Sequence, residues 1–128
     1  MQWLLHGDIR PAVAEALRRR GDTVHIVAEL GDPVPRQPAE VLQAAHRRQW
    51  DIITADAGLA RAPFETPVFF DRAIVYLQLE SAGADAAEAI DRLFERYRRL
   101  APRRLYTVTA GRVKVRQLPA RQQRKSGQ

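Results

Sequence analysis

Asp51-Ile52-Ile53-Thr54-Ala55-Asp56 is a short apolar run closed by a carboxylate, and it reads as a buried strand with an acid at its end. Immediately before it, Pro38 opens a helix with Val41, Leu42 and Ala45 on one side and His46, Arg47 and Arg48 near its end. Before that helix, Thr23 to Leu30 is β-branched and apolar enough for a strand, and Gly31-Asp32-Pro33-Val34-Pro35 breaks it. Pro11 starts an earlier helix in which Val13, Ala14 and Leu17 share a face; Arg18 to Arg20 suit its negative end, and Gly21 terminates it. Trp3-Leu4-Leu5 is the first strand and stops at His6-Gly7-Asp8. Strand, helix, strand, helix, strand is the pattern of right-handed crossovers in a parallel sheet.

Downstream of Asp56 the signal is weaker. Ala57 to Pro67 offers a short turn of helix around Leu59. Arg72 to Leu79 is the next strand, with Val68 to Phe70 either joining it or packing beneath it. Ala87, Ile90, Leu93, Phe94 and Tyr97 recur at helical spacing, which predicts a helix over Ala84 to Leu100, ended by Pro102. Leu105 to Thr109 and Arg112 to Arg116 alternate in type around Ala110-Gly111, a hairpin with a two-residue connection. The expected architecture is α/β: a three-layer α/β/α domain over residues 1–118 with a mainly parallel central sheet and a C-terminal β-hairpin. Residues 119–128 form a basic tail, and Ala120 to Gln128 is too polar to order itself alone.

The 128 residues suit one domain. The absence of cysteine excludes disulfides, thiol nucleophiles and cysteine-ligated metals, and fits a reducing compartment. With no stretch near ~20 apolar residues and no cationic leader, the expectation is a soluble cytoplasmic protein without membrane contact. Charge is unevenly spread. Up to Glu95 ten arginines face fifteen acids, whereas Arg96 to Gln128 carries eleven cations and no acid. Such a basic end is a footprint of phosphate binding, and a solvated tail that keeps the protein soluble has the same composition.

There is no Gly-x-Gly-x-x-Gly, Walker-type loop, Gly-x-Ser-x-Gly or His-Glu-x-x-His, which takes most of the weight from the nucleotide-cofactor and serine-hydrolase readings. What remains is a pair of strand-end acids, Asp8 after the first strand and Asp56 after the third. Ligands of open parallel sheets bind beyond the carboxyl ends of the strands, so these two face one crevice if their strands are neighbours. Convergent carboxylates attract Mg²⁺ or Mn²⁺, which can activate water for phosphodiester cleavage. The plainer use of each aspartate is to cap a helix or turn. His25 and His46 do not assemble a ligand set by spacing, and Trp3 and Trp50 read as core anchors.

Trp3-Leu4-Leu5-His6-Gly7-Asp8-Ile9-Arg10-Pro11, followed by Ile52-Ile53-Thr54-Ala55-Asp56, resembles the small PIN-like proteins related to VapC toxins, whose first strand reads Leu-Leu-Asp-Glu-Asn and whose third ends in Thr-x-Asp. The resemblance runs over nearly the whole chain. It implies a nuclease that cleaves RNA with Mg²⁺ or Mn²⁺ held by acids, often as the toxin of a toxin-antitoxin pair. On that basis Asp56 matches the family's aspartate after the third strand, Thr54 matches the family threonine, Glu40 lies near a position where the family often keeps an acid, and Asp8 stands where an asparagine is usual; Asp56 and Asp8, as strand-end acids, are the candidate metal ligands. The family's first aspartate falls on His6 and the next acidic position on Gly7. On an extended strand His6 and Asp8 point to the same side, so a histidine nitrogen with carboxylates could still hold Mn²⁺ or Zn²⁺. The competing reading is a catalytically silent module that binds RNA or a protein partner. Arg10, Arg112, Lys114, Arg116, Arg121, Arg124 and Lys125 are the candidate phosphate contacts. An acidic antitoxin, or an acidic surface of a second copy, would satisfy the same charges, and the resemblance allows a homodimer.

Overall fold

The computed structural model describes residues 1–79 and 86–120. Five parallel strands and one antiparallel strand make a single sheet in the order β2-β1-β3-β4-β5-β6, where β1 is Gln2–His6, β2 Thr23–Ile26, β3 Asp51–Thr54, β4 Ile74–Leu77, β5 Arg104–Val108 and β6 Val113–Gln117. Helices α1 (Pro11–Arg19) and α4 (Ala86–Arg96) cover one face, and α2 (Pro38–Arg48) and α3 (Ala57–Glu65) cover the other. The α/β fold with a mostly parallel sheet and a C-terminal hairpin is as expected, with a helical layer on each side. Among the described residues no helix is long and apolar enough to cross a membrane.

Each face has its own core because side chains alternate along a strand. Trp3, Ile53, Val75, Tyr106 and Val108 pack against Val13, Leu17, Ile90, Leu93 and Phe94. Leu4, Ile52, Ile74 and Leu105 pack against Val41, Leu42, Leu59 and Ala62. Phe70, from the stretch ahead of β4, lies beneath the sheet in this second core rather than in the strand.

Three expected elements differ in extent. The second strand stops at Ile26 and passes into a 3₁₀ turn over Val27–Leu30, because the Glu29 carboxylate accepts the Ile26 N–H at 2.8 Å and holds His25 Nδ1 at 2.9 Å. The short turn around Leu59 is a nine-residue helix that contains Pro63, stabilised by burial of Leu59, Ala60, Ala62 and Pro63 and capped by Asp56. The last helix ends at Arg96 rather than Leu100. There Tyr97 packs edge-on against Tyr106, whose hydroxyl accepts the Ala101 N–H at 2.8 Å. Its expected start at Ala84 lies outside the described residues.

Asp51 fixes the pairing of β3 with β4. It is 2% exposed, and its carboxylate accepts the Ala73 N–H at 2.9 Å and Arg72 Nη2 at 3.0 Å, while Ile52 N–H donates to Ala73 O at 3.0 Å. Truncating it strands a buried amide and removes the acceptor of a half-buried guanidinium. Asp51→Ala should therefore cost about 2–4 kcal/mol in urea unfolding, and Asp51→Asn, which keeps an acceptor for Ala73, should cost distinctly less. Equal losses in the two variants would contradict this role.

Candidate functional site

The carboxyl end of β1 meets that of β3 at His6 and Thr54, which are register partners. The Thr54 hydroxyl is fully buried; it accepts the Asp56 N–H at 2.9 Å and lies 2.8 Å from His6 Nδ1. In the neutral tautomer in which the Thr54 hydroxyl donates to His6 Nδ1, the ring proton lies on Nε2. Burial pushes the His6 pKa below its ordinary value, and the neighbouring Asp56 carboxylate opposes that shift without overcoming it. The neutral ring is thus the form the fold prefers.

Asp56 sits at the N-cap of α3, where Oδ1 accepts the Gly58 N–H at 3.1 Å. His6, Thr54 and Asp56 are therefore brought together, with the Ala55 N–H donating to His6 O at 3.2 Å. Asp8 is exposed beyond this group. The extended geometry that would have kept it on the side of His6 ends at His6 itself, because Gly7 has φ +81° and its carbonyl accepts the Ile9 N–H at 3.0 Å. A Cβ on Gly7 would also lie 3.4 Å from Asp56 N, so the left-handed glycine suits a close approach of the two strand ends and disfavours a side chain there. Arg10 takes the N-cap position of α1 without a side-chain cap bond.

Glu40 is exposed in the first turn of α2, and its carboxylate accepts the Gln37 N–H at 3.2 Å, so its visible work is to cap that helix. Among the described residues no three of His, Asp and Glu converge to share a metal ion. Mg²⁺ and Mn²⁺ prefer converging oxygen donors. The donors present are a helix-capping carboxylate and a buried, neutral imidazole tied to a hydroxyl, which is a poor fit to a hard cation.

Pairing extends the site across the sheet. His6 pairs with Thr54, Thr54 with Tyr76, Tyr76 with Thr107 and Thr107 with Lys114. Register partners share a face, so five strands contribute one line of polar side chains, about 19 Å long at the usual strand spacing. The next row down, Leu4, Ile52, Ile74 and Leu105, is apolar and lies under α2 and α3. At its end is Arg116, the partner of Leu105, whose guanidinium sits 3.7 Å above the Phe64 ring. Arg112, Lys114 and Arg116 are exposed along this side of the hairpin. Arg121, Arg124 and Lys125 lie outside the described residues. Tyr76 and Thr107 escaped the reading of the sequence as site residues; only Thr107 opposite Lys114 could have been found there, from the hairpin register.

No protein-family model, curated protein or solved structure matches the chain.

The preference for neutral His6 has a pH consequence. Between the lowered folded pKa and the ordinary 6.5, the unfolded chain binds more protons than the folded one, so stability is lost as pH falls through that window. The stability advantage of the wild type over His6→Gln should be full above pH 6.5 and shrink below it in urea titrations. An advantage that grows on acidification would contradict the assignment.

Proposed function

We propose that the chain is a PIN-like module that binds single-stranded RNA along the line from Lys114 to His6 and does not hydrolyse it with a metal ion. The observation that carries this reading is that line itself, with Lys114 and the adjacent Arg112 at one end and the His6–Thr54–Asp56 cluster at the other. The resemblance to toxin-related nucleases supplies the ligand class. The chemistry of the row suits it: ammonium and guanidinium groups hold phosphates, the Thr107 hydroxyl donates to phosphate or sugar oxygens, and the half-buried Tyr76, whose ring leans on the α2/α3 core, leaves an exposed part for a base to stack on.

Replacement of the family's first aspartate by His6 favours binding over cleavage. A carboxylate at that position would add negative charge next to Asp56 and draw in a cation. A neutral imidazole does neither, and its Nε2–H is a donor suited to a phosphate oxygen. The Asp56 carboxylate would repel a phosphate placed against it, so the strand is held by the row and the hairpin and ends beside Asp56 rather than over it.

Binding should weaken with salt, with a slope of about −0.7 per phosphate contact. Lys114→Gln should lower the affinity for single-stranded RNA and flatten that slope by about 0.7, as read by fluorescence anisotropy at several salt concentrations, with little dependence on base sequence. With Mn²⁺ added, the RNA should remain intact on a denaturing gel. Cleavage that needs Mn²⁺ and vanishes in Asp56→Ala would overturn this reading in favour of a metal-dependent ribonuclease.

A further inference from the structure

At the opposite end of the sheet, beside the amino-terminal ends of the strands, a cavity of about 380 Å³ is lined by Arg20, Arg72, Arg98, Arg99, Asp22 and Asp51, with Leu100 and Pro102 forming an apolar part of its wall. Two of the four guanidinium groups are matched by carboxylates. Arg72 Nη2 meets Asp51 at 3.0 Å, and Arg20 Nε lies 3.9 Å from Asp22 while its guanidinium covers the Phe94 ring at 3.6 Å. Arg98 and Arg99 follow α4 on an exposed turn and make no hydrogen bond or ion pair among the described residues. Asp22 also holds the Met1 ammonium at 3.1 Å, so the two carboxylates of the wall are shared among Arg72, Arg20 and Met1 and leave Arg98 and Arg99 with none.

A second observation points the same way. Arg72 Nε is buried and has no hydrogen-bond partner among the described residues. A buried donor without an acceptor costs free energy, and a ligand oxygen that displaced the Arg72 guanidinium slightly would relieve it. We propose that this cavity is a binding site for a phosphomonoester. The unmatched charge of Arg98 and Arg99 balances a phosphomonoester, which carries about −1.5 to −2 at pH 7, better than the single charge of a backbone phosphodiester. Guanidinium forks also match the geometry of phosphate oxygens. The volume lies within the range of about 300–1,000 Å³ usual for small-ligand sites, which leaves room for a sugar against Leu100 and Pro102. This site is independent of the row on the other end of the sheet.

The test is isothermal titration of the full chain with inorganic phosphate, AMP, and a short oligonucleotide carrying either a 5′-phosphate or a 5′-hydroxyl. The variants are Arg98→Gln/Arg99→Gln, both exposed side chains, and Lys114→Gln as a control at the other site. Saturable binding of AMP that falls at least tenfold in the double variant and is unchanged in Lys114→Gln supports the proposal and assigns the ligand to a free mononucleotide. For the oligonucleotides, a tighter affinity with the 5′-phosphate than with the 5′-hydroxyl, a difference that is lost in Arg98→Gln/Arg99→Gln and kept in Lys114→Gln, supports it and assigns the ligand to an RNA end. No saturable binding of any phosphomonoester, or binding equal in the wild type and the double variant, overturns it.

Discussion

Register is the constraint on which the rest of this structure depends. In a sheet buried on both faces, a slip of one residue between neighbours exchanges every core side chain for one meant for the opposite layer. Here the pairing is pinned at several points by polar groups at strand ends. Asp51 grips the amide of Ala73 ahead of β4, and the Ala55 N–H closes on the carbonyl of His6. With β1, β3, β4 and β5 in register, the same period that sends Leu4, Ile52, Ile74 and Leu105 into the α2/α3 core brings His6, Thr54, Tyr76 and Thr107 into line one step beyond it. The hairpin adds Lys114 to that line and Arg116 to the apolar row. The polar row and the hydrophobic core are thus consequences of one pairing pattern.

The chemistry at the corner follows from one residue type. Burial favours the neutral form of the His6 imidazole beside the Asp56 carboxylate. Thr54 then serves both neighbours, accepting from the Asp56 amide and holding His6 Nδ1, so the ring is oriented by a fully buried hydroxyl. Asp56 is engaged in starting α3. Thr54 Oγ1, His6 Nδ1 and Asp56 Oδ1 each have a partner within the chain, so the corner holds its shape without an ion.

Most of the fold was legible because its signals are local. Apolar runs of four or five residues, proline at helix starts, and an alternating hairpin around Ala110-Gly111 need no knowledge of distant contacts. The misread boundaries are those that side chains decide. Glu29 ends β2 by capturing the Ile26 amide, Asp56 lengthens a weak helix by capping it, and Tyr97 leaves α4 to meet Tyr106. At the site, the closeness of Thr54 and Asp56 could be read from their spacing, and that of His6 from the strand order implied by two crossovers. The position of Asp8 could not, because Gly7 breaks the alternation from which its direction was inferred. Tyr76 and the Arg98–Arg99 cavity were hidden for a related reason: the first needs the register of β4, and the second needs four separate loops and ends to meet.

The most direct measurement of the central claim is amide chemical-shift mapping by NMR while single-stranded RNA is titrated into the ¹⁵N-labelled chain. If the row is the binding surface, the perturbed amides form one band across the sheet from Lys114 through Thr107 and Tyr76 to Thr54 and His6, in the order of the strands rather than of the sequence. Perturbations confined to the hairpin, or to the faces of α1 and α4, would show that the aligned side chains do not meet the nucleic acid and would contradict the account.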